Sequence, residues 1–116
     1  MRLYWRIRRL LDWHLFKRRL RFLYQRLTRG WADSDTWALD LVIAKFALPR
    51  LKRFRELNNG HPCNMTEEAW NARLDDMIYA LTYAANEDLQ YDRSIDMARV
   101  ERGLKQFGKY FLHLWW

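Results

Sequence analysis

The sequence predicts an all-α fold, a four-helix bundle-like single domain, on three observations. Apolar residues recur at steps of three and four in four separate stretches. No stretch sustains period-two alternation, and only two Pro and four Gly interrupt 116 residues. A chain of 116 residues is one ordinary domain, and 30% charged with 50% hydrophobic residues excludes a disordered or low-complexity chain. The aromatic content of 16%, with seven Trp, exceeds what a small core needs.

The first element covers residues 2–29. Leu3, Ile7, Leu10, Trp13, Phe16, Leu20, Leu23 and Leu27 follow one another at steps of three or four, which predicts a long amphipathic helix with these residues on one face and arginines over much of the rest. Gly30 is its natural C-cap. Residues 1–30 hold ten Lys/Arg against the single acid Asp12, a balance of +9. Residues 31–116 hold eleven bases and thirteen acids, a balance of −2. The net charge of +7 therefore belongs to a cationic N-terminal segment, 1–30, carried by a mildly acidic helical body, 31–116.

Asp33, Ser34 and Asp35 supply candidate N-caps for a second helix with the stripe Trp37, Leu41, Ala44, Leu48, Leu51 and Phe54 or Leu57. Pro49 inside it removes the amide that would bond to Lys45, so a kink is expected there. Asn58-Asn59-Gly60-His61-Pro62 reads as a loop. Thr66 followed by Glu67 and Glu68 is an N-cap with acids on the positive end of the dipole. The third helix runs to about Ala85 with Trp70, Leu74, Met77, Leu81 and Ala84 on one face. Asn86-Glu87-Asp88 breaks it, and a fourth helix is expected from Asp92–Ser94 to Leu114 through Met97, Val100, Leu104, Phe107 and Phe111.

Four inward stripes cannot hide every aromatic. Trp31, Tyr79, Tyr83, Tyr91, Tyr110, Trp115 and Trp116 fall off or beyond them, which points to an interaction surface, with homo-oligomerisation the simplest form. Apolar runs are too short to span a bilayer, Arg and Lys interrupt any signal-like stretch, and the lone Cys63 fits a reducing compartment.

Residues 31–85 carry a resemblance. Trp31-Ala-Asp-Ser-Asp-Thr-Trp37, Ile43-Ala-Lys-Phe46-Ala-Leu-Pro49-Arg50-Leu-Lys52-Arg53-Phe54 and Thr66-Glu-Glu-Ala-Trp70 together resemble a family of small, mostly uncharacterised proteins of tailed bacteriophages. The resemblance implies a phage accessory protein in the host cytoplasm and brings no catalytic residues with it.

Phe46, Arg50, Arg53 and Leu57 share a face of the second helix, with Lys45 and Lys52 adjacent. Arg grips phosphate with two N–H groups and an aromatic ring stacks on a base, so Lys45, Phe46, Arg50, Lys52 and Arg53 are candidate ligands for a nucleotide or other anionic small molecule. The function expected from this face is a non-enzymatic homo-oligomer that sequesters a nucleotide or cyclic nucleotide immune signal. The plainer reading is a solvated basic stripe beside a core Phe. Arg8, Arg9, Arg18, Arg19, Trp115 and Trp116 form a second candidate surface. The N-terminal helix then packs on the bundle, binds nucleic acid through phosphates, or, ranked behind these, lies on a membrane surface. Inhibition of a host protein through the aromatic surface is a further alternative.

Catalytic and metal chemistry has thin support. Asp33, Asp35 and Asp40 read as capping or surface acids, and Glu67, Glu68, Asp75 and Asp76 lack the paired carboxylate spacing that holds Mg²⁺. His14, His61 and His113 have no ligand spacing, and Cys63 has no nucleophile context. No enzyme activity, cofactor or metal is expected.

Overall fold

Among the described residues four α-helices form, one in each stretch of apolar periodicity: α1 (Arg2–Arg29), α2 (Leu39–Leu57), α3 (Glu67–Ala85) and α4 (Met97–Lys109). The computed structural model describes residues 2–57 and 60–115, and no strand occurs among them. Short 3₁₀ turns follow α1 at Asp33–Thr36, α3 at Glu87–Tyr91 and α4 at Phe111–His113. The helices divide between two compact units, Met1–Leu39 and Asp40–Trp116.

The first unit is α1 with the turn after it. Gly30 ends the helix at φ 84°, a conformation that costs a residue without Cβ little, and its amide bonds to the Arg26 carbonyl at 3.0 Å. Asp33 and Asp35 are not the caps of α2. Both are turned back onto the last turns of α1. Gln25 donates to Asp33 Oδ2 at 2.7 Å and accepts from the Asp33 amide at 2.8 Å. Arg26 reaches both Asp35 oxygens at 2.9 and 3.2 Å, and Asp35 Oδ2 also accepts from the Ala32 amide at 3.0 Å. Their partners are thus donors at the carboxy end of α1 and in the turn itself, and α2 begins four residues after Asp35. Trp37 consequently lies outside α2, edge-on to Phe22 at 5.5 Å.

The apolar stripe of α1 does not stay on one face. Seven steps cover the 24 residues from Leu3 to Leu27, about 3.4 residues per step against 3.6 per turn, so the stripe winds by about 120° around the helix. None of its eight side chains is buried; their exposure runs from 48% at Leu20 to 78% at Leu27. The first turn of α1 carries no acid, while Arg26 and Arg29 occupy the last.

The second unit is organised around α3. Thr66 Oγ1 accepts from the Ala69 amide at 3.2 Å, capping the helix where the sequence predicts. Trp70, Leu74, Met77 and Leu81 are all at most 4% exposed and join Ala44 and Leu51 of α2 in one apolar core. Arg55 clasps Asp75 at 2.9 Å across the same pair of helices. Pro49 lies inside α2, and Arg50 donates to the Phe46 carbonyl at 2.8 Å beside it.

Helix α4 is shorter and turned differently than expected. Asp96, not Asp92–Ser94, caps it by accepting from the Arg99 amide at 3.1 Å, and the helix ends at Lys109 rather than Leu114. Its buried residues are Val100, Gly103 and Gln106, whereas Met97 and Leu104 stay about half exposed. Gly103 sets this register. A Cβ there would stand 2.2 Å from the Asp76 carbonyl oxygen and 2.7 Å from Ala80 Cβ, so α3 and α4 touch backbone to backbone. Two of the off-stripe aromatics serve this unit internally: Tyr79 accepts from the Asp96 amide at 2.9 Å, and Tyr110 packs edge-on to Trp70 at 5.6 Å.

Candidate anion-binding surfaces

Three surfaces combine cations with aromatic or unsatisfied polar groups. The largest is α1. The seven Lys/Arg from Arg6 to Arg21 form no ion pair among the described residues, while Arg26 and Arg29 are held by Asp35 and Asp33. The hydrogen bonds from Arg29 and Gln25 hold Asp33 below the usual carboxylate range, and the Ala32 amide followed by Arg26 does the same for Asp35. Both turn acids are thus ionised and spent on the carboxy-terminal end of the helix.

The unpaired cations are interleaved with rings. Arg8 lies 5.9 Å from the Trp5 ring, Lys17 lies 5.1 Å from Trp13, and Arg18 lies 4.7 Å from Trp37 and 5.7 Å from Phe22. Trp5, Trp13 and Trp37 are each more than half exposed. Arg9 and Arg18 are nine residues apart, about two and a half turns, which sets them on opposite sides of the helix. Of the predicted interaction residues, Arg8, Arg9, Arg18 and Arg19 therefore belong to one cationic helix in the first unit. Trp115 belongs to the second unit and lines a hollow of about 620 Å³ with Trp70, His113 and the loop at 60–64. Trp116 lies outside the described residues.

The predicted ligand face on α2 is built differently from its expectation. Arg50 lies 3.8 Å from the ring of Phe46 and bonds to its carbonyl, so the guanidinium covers the face on which a base would stack. Arg53 pairs with Glu56 at 3.1 Å. Lys45 and Lys52 are exposed and form no ion pair among the described residues. The groove beside them, about 520 Å³, is walled by Val42, Ile43, Phe54, Phe107, Phe111 and Leu114 as well as Phe46, with Arg50 the one charged residue lining it.

The third surface was not foreseen from the sequence. Arg102, Lys105, Gln106, Lys109 and Tyr110 of α4 and the residue that follows it meet Arg73 of α3 around a pocket of about 360 Å³, with Glu101 its one carboxylate. Asp76 braces the pocket wall: it accepts from Arg99 at 3.0 Å and from Arg102 at 3.1 Å. Burial raises the Asp76 pKa, but the hydrogen bonds from Arg102 and Arg99 outweigh it and hold the carboxyl below its ordinary range. Gln106 is 7% exposed and its Oε1 has no hydrogen-bond partner among the described residues. A buried acceptor left unpaired costs about 1–3 kcal/mol. The signal was present as cations at 102, 105 and 109, steps of three and four, but counting apolar stripes passes over a polar row.

His61, Cys63 and His113, scattered in the sequence, line the same hollow as Trp115. Among the described residues no three His, Cys, Asp or Glu side chains converge to hold a metal ion, and no helix is long and apolar enough to cross a membrane. Comparison with known proteins supplies no relative: no family model, no curated protein and no solved structure matches the chain.

Proposed function

We propose that this chain is a non-catalytic binding protein whose partner is single-stranded nucleic acid, held by α1. The observation that carries this reading is the row of seven unpaired Lys/Arg interleaved with exposed Trp side chains on one uninterrupted helix. Phosphates neutralise the cations, and bases stack on the rings or on the guanidinium planes beside them. Arg9 and Arg18 on opposite sides favour a flexible strand over a lipid layer, because a flat surface meets one side of a helix while a strand follows both. The winding apolar stripe supports association of α1 with a second copy, since steps shorter than 3.6 match helices that coil around each other. Like charge opposes that pairing, and a shared strand relieves the repulsion, so strand binding and self-association reinforce one another in this reading. The resemblance of residues 31–85 to phage proteins suggests the setting, the cytoplasm of an infected bacterium.

Fluorescence anisotropy with a labelled 20-nucleotide strand tests the proposal. The logarithm of the affinity should fall steeply with the logarithm of salt concentration. Replacing Arg8, Arg9, Arg18 and Arg19 together by Ala should flatten that slope by about 3, at roughly 0.7 for each phosphate no longer neutralised. Binding that is insensitive to salt, or unchanged in the fourfold variant, overturns it.

A further inference from the structure

The groove between α2 and the end of α4, with the turn that follows it, carries a ligand site of a different kind from α1. We propose that it binds an alkyl carboxylate, a fatty acid, with the hydrocarbon chain along the groove and the carboxylate on Arg50. All of its lining residues belong to the second unit, so the site does not depend on the strand-binding reading of α1.

The walls define the body of the ligand. Nine of the ten lining residues are apolar, among them Phe46, Phe54, Phe107 and Phe111. Leu51, 5% exposed, ties the groove to the core, whereas Ile43, Phe46 and Phe111 keep about half or more of their surface in water. Covering such a face is favourable in proportion to the apolar area removed from water. A volume of about 520 Å³ is that of a small-molecule site. Arg50 is the one lining side chain that offers a hydrogen-bonding group, so an occupant with polar groups along its length would leave them unpaired. An alkyl chain has none to leave.

Arg50 defines the head. Its guanidinium lies 3.8 Å from the centre of the Phe46 ring, and its Nη1 donates to the Phe46 carbonyl at 2.8 Å. These two contacts hold the guanidinium at the groove wall and leave the Nε and Nη2 N–H groups unbonded among the described residues. That pair is the edge of the guanidinium that grips a carboxylate with two parallel bonds. No lining residue carries an acid to meet it. A second copy of the same face would bring a second Arg50 and no acid, and a cationic helix would add like charge, so both are poor covers. The complement of nine apolar residues and one cation is one hydrocarbon chain with one anionic end.

Calorimetry on the full-length protein with octanoate, decanoate and dodecanoate, each below its micelle-forming concentration, and with decanol tests the site. Affinity should rise about fivefold or more for each two carbons added. Decanoate should bind about fivefold or more tightly than decanol, because the alcohol cannot make the charged pair. Arg50→Gln should erase that preference for acid over alcohol, and Arg50→Lys should restore part of it. Phe46→Ser should weaken acid and alcohol alike, about fivefold or more; the ring is 62% exposed, so folding is preserved. On the unaltered protein, the methyl signals of Val42, Ile43 and Leu51 should shift on titration with decanoate. The Arg8, Arg9, Arg18 and Arg19 fourfold Ala variant should keep its affinity for decanoate. No binding of dodecanoate, equal affinity for decanoate and decanol, unmoved methyl signals, or loss of binding in the α1 variant instead of Arg50→Gln overturns the proposal. So does a dimer in light scattering that Phe46→Ser dissolves, which would assign the groove to a second copy.

Discussion

Helices α1 and α3 are both rich in large apolar residues spaced at three and four, yet α3 buries six residues and the stripe of α1 buries none. Two differences separate them. α3 contains Ala69, Ala72, Ala80, Ala84 and Ala85, which let neighbouring backbones approach; α1 has no Ala, Gly or Ser between Arg2 and Arg29. The unit around α3 holds eleven bases and eleven acids, whereas the unit built on α1 holds ten bases and three acids. Periodicity alone makes a helix. Small residues and balanced charge accompany burial in α3, and α1 has neither.

Substitutions should break that contrast unequally. Trp70→Ala in the core of the second unit should cost about 4 kcal/mol, seen as a lower urea midpoint. Gly103→Ala should cost about 3 kcal/mol, because the new Cβ meets the Asp76 backbone, which cannot swing away as a side chain would. Acidification should act next. Asp76 titrates below its ordinary value of 3.8 when folded, so its bonds to Arg99 and Arg102 stabilise fully at neutral pH. That contribution is lost as pH falls below about 4 and through the depressed folded value, and Asp76→Asn should remove this part of the acid limb. Leu20→Ala on α1 should change unfolding by less than about 0.5 kcal/mol while reducing the oligomer seen by light scattering with a strand bound. A large stability loss at Leu20 would show that α1 is a core element after all.

Much of this contrast was legible in the sequence. The Thr66 cap and the Trp70, Leu74, Met77 and Leu81 stripe were readable because an N-cap, charge placement and periodicity agree there. The charge asymmetry of α1 was equally plain. The register of α4 was not, because the approach at Gly103 is decided by a backbone on another helix, and an apolar count prefers Leu104. Asp33 and Asp35 misled for a related reason. Their residue types announce a cap, but the nearest unsatisfied donors are Arg26, Arg29 and backbone amides behind them. The pocket beside Gln106 was hidden because its cations at 102, 105 and 109 form a polar row that a search for apolar stripes passes over.

The amino end of α1 has one more consequence. A helix start carries a partial positive charge, and here the first turn offers no acid to meet it while Arg6 adds a cation just beyond, an arrangement that disfavours helix at that end. A phosphate bound there supplies the missing negative charge, so a bound anion stabilises the first turns of the helix. Its signature would be slower amide hydrogen exchange in the first turns on adding a polyanion, and an on-rate that slows when an acidic substitution is placed in the first turn, since the same change that complements the dipole repels the ligand.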